Sequence, residues 1–138
     1  MKVSIVTVSY NAEKTIEDTI NSVLIQSYNN IEYIIVDGNS KDSTMKIVNR
    51  YRNSIAKIVS ENDKGIYDAM NKGIKIASGD IIGILNADDV YIDEKVIEKK
   101  ISVFKSNKDI NGCYSNLIYI SKYNNKIIRK WNAEKYLF

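Results

Sequence analysis

Asp88 and Asp89 are adjacent carboxylates that follow the apolar run Ile81-Ile82-Gly83-Ile84-Leu85. Two such groups behind a buried strand repel each other unless a cation or hydrogen-bond donors neutralise them. A hard divalent cation shared with phosphate oxygens does so, and Mg²⁺-type sites use one or two protein carboxylates plus substrate phosphates. A plainer explanation is that Asp88, Asp89 or Asp93 caps the helix expected from about Glu94, although a cap needs only one of them. The chain has no histidine, and Cys113 is its one cysteine. A His-containing zinc site, a His general base, an internal disulfide and a Cys cluster are thereby excluded. Any metal is then Mg²⁺ or Mn²⁺ on oxygen ligands. Acid–base chemistry falls to Asp, Glu, Lys or Tyr.

Polar groups also close three earlier apolar runs: Ser9-Tyr10-Asn11, Asp37-Gly38-Asn39-Ser40 and Glu61-Asn62-Asp63-Lys64-Gly65. Each alone is equally well explained as a turn or an N-cap, where Asp, Asn and Ser are favoured. Three carboxylate-bearing ends out of four, with Asn86-Ala87-Asp88-Asp89 as the last, are harder to dismiss in that way. No G-x-G-x-x-G follows the first run and no G-x-x-x-x-G-K-[ST] occurs, which argues against dinucleotide and P-loop enzymes. Tyr10 could stack on a base or simply pack, and Asp37 could accept hydrogen bonds from base N–H or ribose hydroxyls.

The elements that must position these groups alternate. Strand-like Val3–Val8, Tyr33–Val36, Ile55–Val59 and Ile81–Leu85 are separated by helix-period segments. The first helix carries Ile16, Ile20, Val23 and Leu24 on one face, a second spans about Ser43–Tyr51, and a third shows Ile66, Met70, Ile74 and Ala77. A fourth is expected over Glu94–Phe104. Near-continuous Ile/Val strands between helices predict a mostly parallel, Rossmann-like α/β sheet with helices on both faces. In such sheets ligands bind beyond the carboxyl ends of the strands, so the four polar groups should converge. From Gly112 the texture changes to two strand-like segments, Tyr114–Ile120 and Lys126–Trp131.

With 138 residues, 44% apolar and 27% charged, the chain is sized for one globular domain. A net charge of +3 without a long basic run argues against nucleic acid as a partner. No stretch approaches a membrane span, and the start is too short and interrupted for a signal peptide, so a cytoplasmic location is expected. Lys122, Lys126, Arg129 and Lys130 form a basic tail that is either a solvated face or a peripheral contact with the inner face of the membrane.

Taken in order, Ile5-Val6-Thr7-Val8-Ser9-Tyr10-Asn11, Ile35-Val36-Asp37-Gly38-Asn39-Ser40, Glu61-Asn62-Asp63-Lys64-Gly65 through Lys72-Gly73, Ser78-Gly79-Asp80 and Leu85-Asn86-Ala87-Asp88-Asp89 resemble the successive motifs of family-2 glycosyltransferases. The resemblance covers about residues 3–105. It implies the glycosyltransferase A fold and inverting transfer from a nucleoside diphosphate sugar, a UDP-sugar foremost, to a polysaccharide or lipid-linked acceptor. Thr7, Tyr10 and Asp37 would contact base and ribose, Asp63 would line the donor pocket, and Lys72 would lie near base or phosphates. Asp88 would face ribose or sugar, and Asp89 would hold Mn²⁺ or Mg²⁺.

Family members usually run considerably longer, with the catalytic base and acceptor elements beyond the last motif here. Glu94, Glu98, Asp109 and Glu134 match no base motif, so no catalytic residue is assigned. Residues 1–105 are then expected to be the nucleotide-sugar-binding part of one domain, and residues 106–138 the start of an acceptor-side part that is incomplete at the C-terminus. An unfinished, sticky edge predicts a homo-oligomer. The alternatives are a non-catalytic nucleotide-sugar-binding or assembly module and, less favoured, a sugar-nucleotide nucleotidyltransferase. The latter would need a Gly- and Arg-rich loop where Ser9-Tyr10-Asn11-Ala12 stands.

Overall fold

A computed structural model describes residues 1–121, 124 and 126–133. Lys122 and Glu134, named above, lie outside the described residues. The chain divides into two compact units, Met1–Ile101 and Ser102–Phe138.

The first unit is built on a four-stranded sheet in the order β3-β2-β1-β4. Its strands are β1 (Val3–Ser9), β2 (Ile31–Asp37), β3 (Lys57–Ser60) and β4 (Ile81–Asn86). All three pairings are parallel. The register sets Ser9 beside Asp37, Asp37 beside Ser60 and Val8 beside Asn86. The carboxyl ends of all four strands therefore share one edge, as the sequence predicts. The chain lays down β1, β2 and β3 in one direction and then returns to the other side of β1. The order consequently reverses between β1 and β4, the place where open α/β sheets form a ligand crevice.

Both faces of the central strands β1 and β2 are covered, while Ile82 and Ile84 of β4 stay exposed on one face. Val3, Ile5, Tyr33, Ile35 and Leu85 pack with Ile16, Ile20 and Val23 of α1 (Ile16–Leu24), Val48 of α2 (Thr44–Arg50), and Ile97 and Ile101 of α4 (Val96–Ser106). On the other face Val6, Val8, Ile34 and Val36 meet Ala69 of α3 (Ile66–Ile76). Two sequence expectations are corrected. Leu24 is 38% exposed, outside the buried α1 stripe. The inner face of α3 is Ala69 and Gly73, with Met70, Ile76 and Ala77 packed beside them, while Ile66 and Ile74 are exposed. Gly73 is needed because a Cβ there would collide with Val6 Cγ1, so the helix sits closer to β1 than any larger residue allows.

At the edge opposite the shared carboxyl ends, Glu32 is a buried tie. Its Oε2 accepts hydrogen bonds from Ser4 Oγ at 2.6 Å and Ser78 N at 2.8 Å. Its Oε1 accepts from Ser78 Oγ at 2.8 Å and pairs with Lys2 and Lys57 at 3.1 Å each. Burial pushes Glu32 up, but the hydrogen bonds from Ser4, Ser78 and Lys2 outweigh it and hold the carboxyl well below the usual glutamate range. A depressed carboxylate contributes stability that is fully present above the unfolded value of about 4.3 and is lost as pH falls below it. The urea midpoint of the wild-type chain is therefore expected to drop more steeply between about pH 5 and 3 than that of Glu32→Gln. Parallel pH profiles would remove this role.

The second unit contains the antiparallel pair β5 (Leu117–Ile120) and β6 (Ile127–Trp131), matching the two strand-like segments of the sequence. Its register shifts at Tyr119/Ile120, and Asn116 Oδ1 accepts the Ala133 N–H at 2.9 Å. Every residue of both strands is exposed. Among the described residues no helix is long and apolar enough to cross a membrane.

Candidate functional site

At the carboxyl edge of the sheet lies a cleft of about 860 Å³. Val8 through Ala12 and Thr15 form one wall, Asn62, Asp63, Gly65, Ile66 and Ala69 a second, and Asn86, Ala87 and Asp88 a third, with Gly38 also lining it. Loops after β1, β2, β3 and β4 thus all contribute, which is the convergence expected from the strand order.

The first three loops take these shapes because each holds a residue in the left-handed region: Asn11 at φ 49°, Asn39 at φ 62° and Gly65 at φ 110°. Asparagine and glycine tolerate this conformation better than other residues. The first two loops are then locked together. Ser40 Oγ accepts the Asn11 N–H at 2.8 Å, and Asn11 Oδ1 accepts the Lys41 N–H at 2.9 Å. Asn39 Nδ2 reaches across to Asn62 Oδ1 at 2.9 Å, joining the second loop to the third. Gly38 lies against the Asp63 and Tyr10 side chains of the neighbouring loops. A methyl group on it would sit 2.5 Å from Asp63 Oδ2 and 3.3 Å from the edge of the Tyr10 ring. Tyr10 itself is 64% exposed, a flat aromatic face presented to the cleft.

Of the sequence-predicted residues, Tyr10, Asp63 and Asp88 come together in the lining. Asp63 is fixed by accepting the Gly65 N–H at 2.8 Å on Oδ1. Thr7 and Asp37 are corrected in placement: both are fully buried and neither lines the cleft. Thr7 Oγ1 lies 3.1 Å from Tyr33 Oη on the α1 side of the sheet, and the neighbouring Val8 is the residue that reaches the cleft. Asp37 accepts hydrogen bonds from Ser9 Oγ (3.1 Å), Ser40 Oγ (2.5 Å), Ser40 N (2.9 Å) and Ser60 Oγ (2.8 Å). Those four bonds fill the acceptor capacity of a carboxylate. Asp37 organises the ends of β1, β2 and β3 from beneath the cleft. Lys72 is likewise engaged by the protein, with Glu61 at 2.9 Å, Asp68 at 3.4 Å and the Asn62 carbonyl at 2.7 Å, and so clamps the loop that carries Asp63.

Asp88 and Asp89 form the turn after β4. The Asp89 N–H bonds to the Asn86 carbonyl at 3.1 Å, and Thr19 Oγ1 donates to the Asp89 carbonyl at 2.9 Å. Neither carboxylate caps α4: Asp93 is the residue that accepts a turn bond there, from Lys95 N at 2.8 Å. Burial and then the charge of Asp88 push the Asp89 carboxyl up, against a hydrogen bond from Asn86 Nδ2 at 3.3 Å. Asn86 Oδ1 is buried and has no hydrogen-bond partner. Asn11, Gly38, Asn62 and Asn86 line the cleft and are site residues that sequence reasoning left without a role. The Asn and Gly content of the strand-end loops was their signal, readable only as turn chemistry.

The cleft thus brings the Tyr10 ring and the carboxylates of Asp63 and Asp88, with Asp89 next in sequence, to the switch point of a parallel α/β sheet. The chain matches Glycosyl transferase family 2 over residues 4–137 and belongs to that family. It is 40% identical over 132 residues to the Escherichia coli UDP-Glc:alpha-D-GlcNAc-diphosphoundecaprenol beta-1,3-glucosyltransferase WfgD, covering 95% of this chain and 51% of WfgD. The E. coli enzyme WfaP, of the same description, is 39% identical over 121 residues, 87% of this chain and 47% of that one. The chain spans about half the length of these relatives. Among solved structures it resembles S. aureus TarS 1-349 in complex with UDP-GlcNAc (TM-score 0.69, 29% identity, 77% of this chain and 32% of that one). The mannosyltransferase PcManGT from Pyrobaculum calidifontis, in complex with GDP-Man and Mn2+, shares the fold at TM-score 0.70 and 24% identity over 75% of this chain and 32% of its own.

Proposed function

We propose that this chain supplies the donor-binding part of an inverting glycosyltransferase that moves a sugar from a nucleoside diphosphate sugar to a saccharide or lipid-linked acceptor. The observation that carries the reading is the meeting of Tyr10, Asp63 and Asp88 in one cleft, with Asp89 adjoining, at the point where the strand order reverses. In this reading Tyr10 stacks on the base, Asp63 binds at the nucleoside end and Asp88 accepts from ribose or sugar hydroxyls. Asp37 acts from below by fixing the loops. UDP is the favoured nucleotide, since the E. coli relatives are named for UDP-Glc and TarS was solved with UDP-GlcNAc. The diphosphoundecaprenol in the names of those relatives supports a lipid-linked acceptor and work at the inner face of the membrane.

In this reading Asp89 holds Mg²⁺ or Mn²⁺ through oxygen, with Asn86 as its hydrogen-bond partner and Asp88 next in sequence. Most of the coordination is left to substrate phosphates and water, since the described residues form no cluster of three or more acidic side chains that could hold a metal. A cation bound there would stabilise charge developing on the leaving diphosphate. Among the described residues Asp63 and Asp88 are the carboxylates of the cleft lining, and in this reading both bind the donor and neither is assigned as the acceptor base. Residues 1–105 then serve the donor and residues 106–138 begin the acceptor side. Exposed apolar side chains on the β5–β6 hairpin, Tyr119, Ile128 and Trp131 among them, support self-association of this segment.

Sugar release from UDP- and GDP-sugars by residues 1–138, with and without Mn²⁺, tests the reading. The expected result is slow, Mn²⁺-dependent release that favours a UDP-sugar, with much slower transfer to an added saccharide because this reading assigns no acceptor base or acceptor-positioning group among the described residues. Nucleotide binding with no release from any donor would leave a binding module instead of an enzyme.

A further inference from the structure

Three buried polar side chains follow one another along α1 and just past its end: Thr19, Ser22 and Gln26. Spacings of three and four are those of one helix face. Burying polar groups on such a face is costly unless each finds a partner. Here the partners all lie in the segment that leaves β4 through the Asp88-Asp89 turn and runs to α4. Thr19 Oγ1 donates to the Asp89 carbonyl at 2.9 Å, and Ser22 Oγ accepts the Tyr91 N–H at 3.2 Å. Gln26 Nε2 donates to the Asp93 carbonyl at 2.8 Å, and its Oε1 accepts the Ile97 N–H of α4 at 3.1 Å. Residues 89, 91 and 93 thus turn backbone groups to α1, while the intervening Val90 and Ile92 are exposed. The segment belongs to neither sheet, so these side chains supply bonds that a neighbouring strand would otherwise make. Apolar packing is non-directional, whereas hydrogen bonds fix both distance and direction. Val90 and Ile92, which could have anchored the segment by packing alone, face outward instead.

We propose that Thr19, with Ser22 and Gln26 behind it, forms a positioning ladder that fixes the backbone of Asp89 and so sets where its carboxylate meets a divalent cation. None of the three is in the cleft lining, so each acts through Asp89 and touches no ligand. The inference rests on the reading of Asp89 as the cation ligand.

The test removes the rungs one at a time with Thr19→Val, Ser22→Ala and Gln26→Leu, while Thr19→Ser keeps the hydroxyl. Thr19→Ala and Gln26→Met stand in for a variant that does not fold. Ligand-free melting temperature is measured beside calorimetric affinity for UDP with and without Mn²⁺. The ratio of the two affinities is the gain due to the cation. Positioning and stability order the variants oppositely. Gln26 loses the most bonds, since Nε2 also donates to the Ser22 carbonyl at 3.0 Å, and its variant should melt lowest. Thr19 holds Asp89 itself, so Thr19→Val should show the largest fall in the Mn²⁺ gain, roughly three- to ten-fold. Ser22→Ala should fall between, and Gln26→Leu should lose least. Affinity for UDP without Mn²⁺ should be unchanged in Thr19→Val, and Thr19→Ser should recover the gain. If the gain falls in step with melting temperature across the series, or stays whole in Thr19→Val, the ladder only stabilises the fold and the proposal is overturned. A wild-type chain with no Mn²⁺ gain would overturn the reading of Asp89 first, and the inference with it.

Discussion

A chain carrying Asp89→Asn is expected to bind UDP equally weakly with and without Mn²⁺, roughly a hundred-fold below the wild type in Mn²⁺. The change keeps the side-chain shape and removes the charge that would hold the cation. The turn should survive, because the Asp89 N–H bond to the Asn86 carbonyl and the Thr19 bond to the Asp89 carbonyl are unaffected. Stability at neutral pH should hold or rise, since burial and the neighbouring Asp88 charge both disfavour ionised Asp89. Isothermal calorimetry separates the outcomes. Unchanged Mn²⁺-dependent affinity would remove Asp89 from the metal site, and a parallel loss of uridine binding would mean that the turn itself has collapsed.

The second large effect is on the fold. Gly73→Val should destabilise the chain by about 3 kcal/mol or more, because even a Cβ at this position collides with the buried, rotamer-restricted Val6. At the scale of one domain that corresponds to roughly a 10 °C fall in melting temperature. Such a loss is a large fraction of the ~5–15 kcal/mol that domains usually have. Val at the neighbouring Lys75, which is exposed and in the same helix, controls for propensity and should cost under ~1 kcal/mol. Equal melting temperatures for the two variants would show that α3 does not seat on β1 at Gly73.

The strand–helix alternation, the parallel sheet and the shared edge of the four polar ends were legible because long Ile/Val runs and helix-period stretches leave little freedom. Legibility failed where side-chain size or direction decided the outcome. On α3 the large residues Ile66 and Ile74 drew the sequence reading. The helix instead packs through Ala69 and Gly73, since close seating against β1 rewards small residues that hydrophobic periodicity does not register. On β1 all seven residues are buried. A strand covered on both faces shows no apolar–polar alternation, so the sequence could not tell that Thr7 points toward Tyr33 and Val8 toward the cleft. Asp37 looked like a ligand group because it is a charge at a strand end. Ser9, Ser40 and Ser60 come from separate segments, and only the fold reveals that together they saturate it. The orphaned oxygen of Asn86 was invisible for the same reason, as an unmade bond leaves no trace in sequence.

The central claim is that one cleft binds a nucleoside diphosphate by its base at the Tyr10 wall and its phosphates, through a divalent cation, at the Asp88-Asp89 turn. Crystals of this chain grown with UDP and MnCl₂, with data collected at the manganese absorption edge, test it most directly. The expected map shows a single strong anomalous peak beside the Asp89 carboxylate and the uracil ring against Tyr10. A manganese peak away from Asp89, or UDP seated outside the cleft, would contradict it.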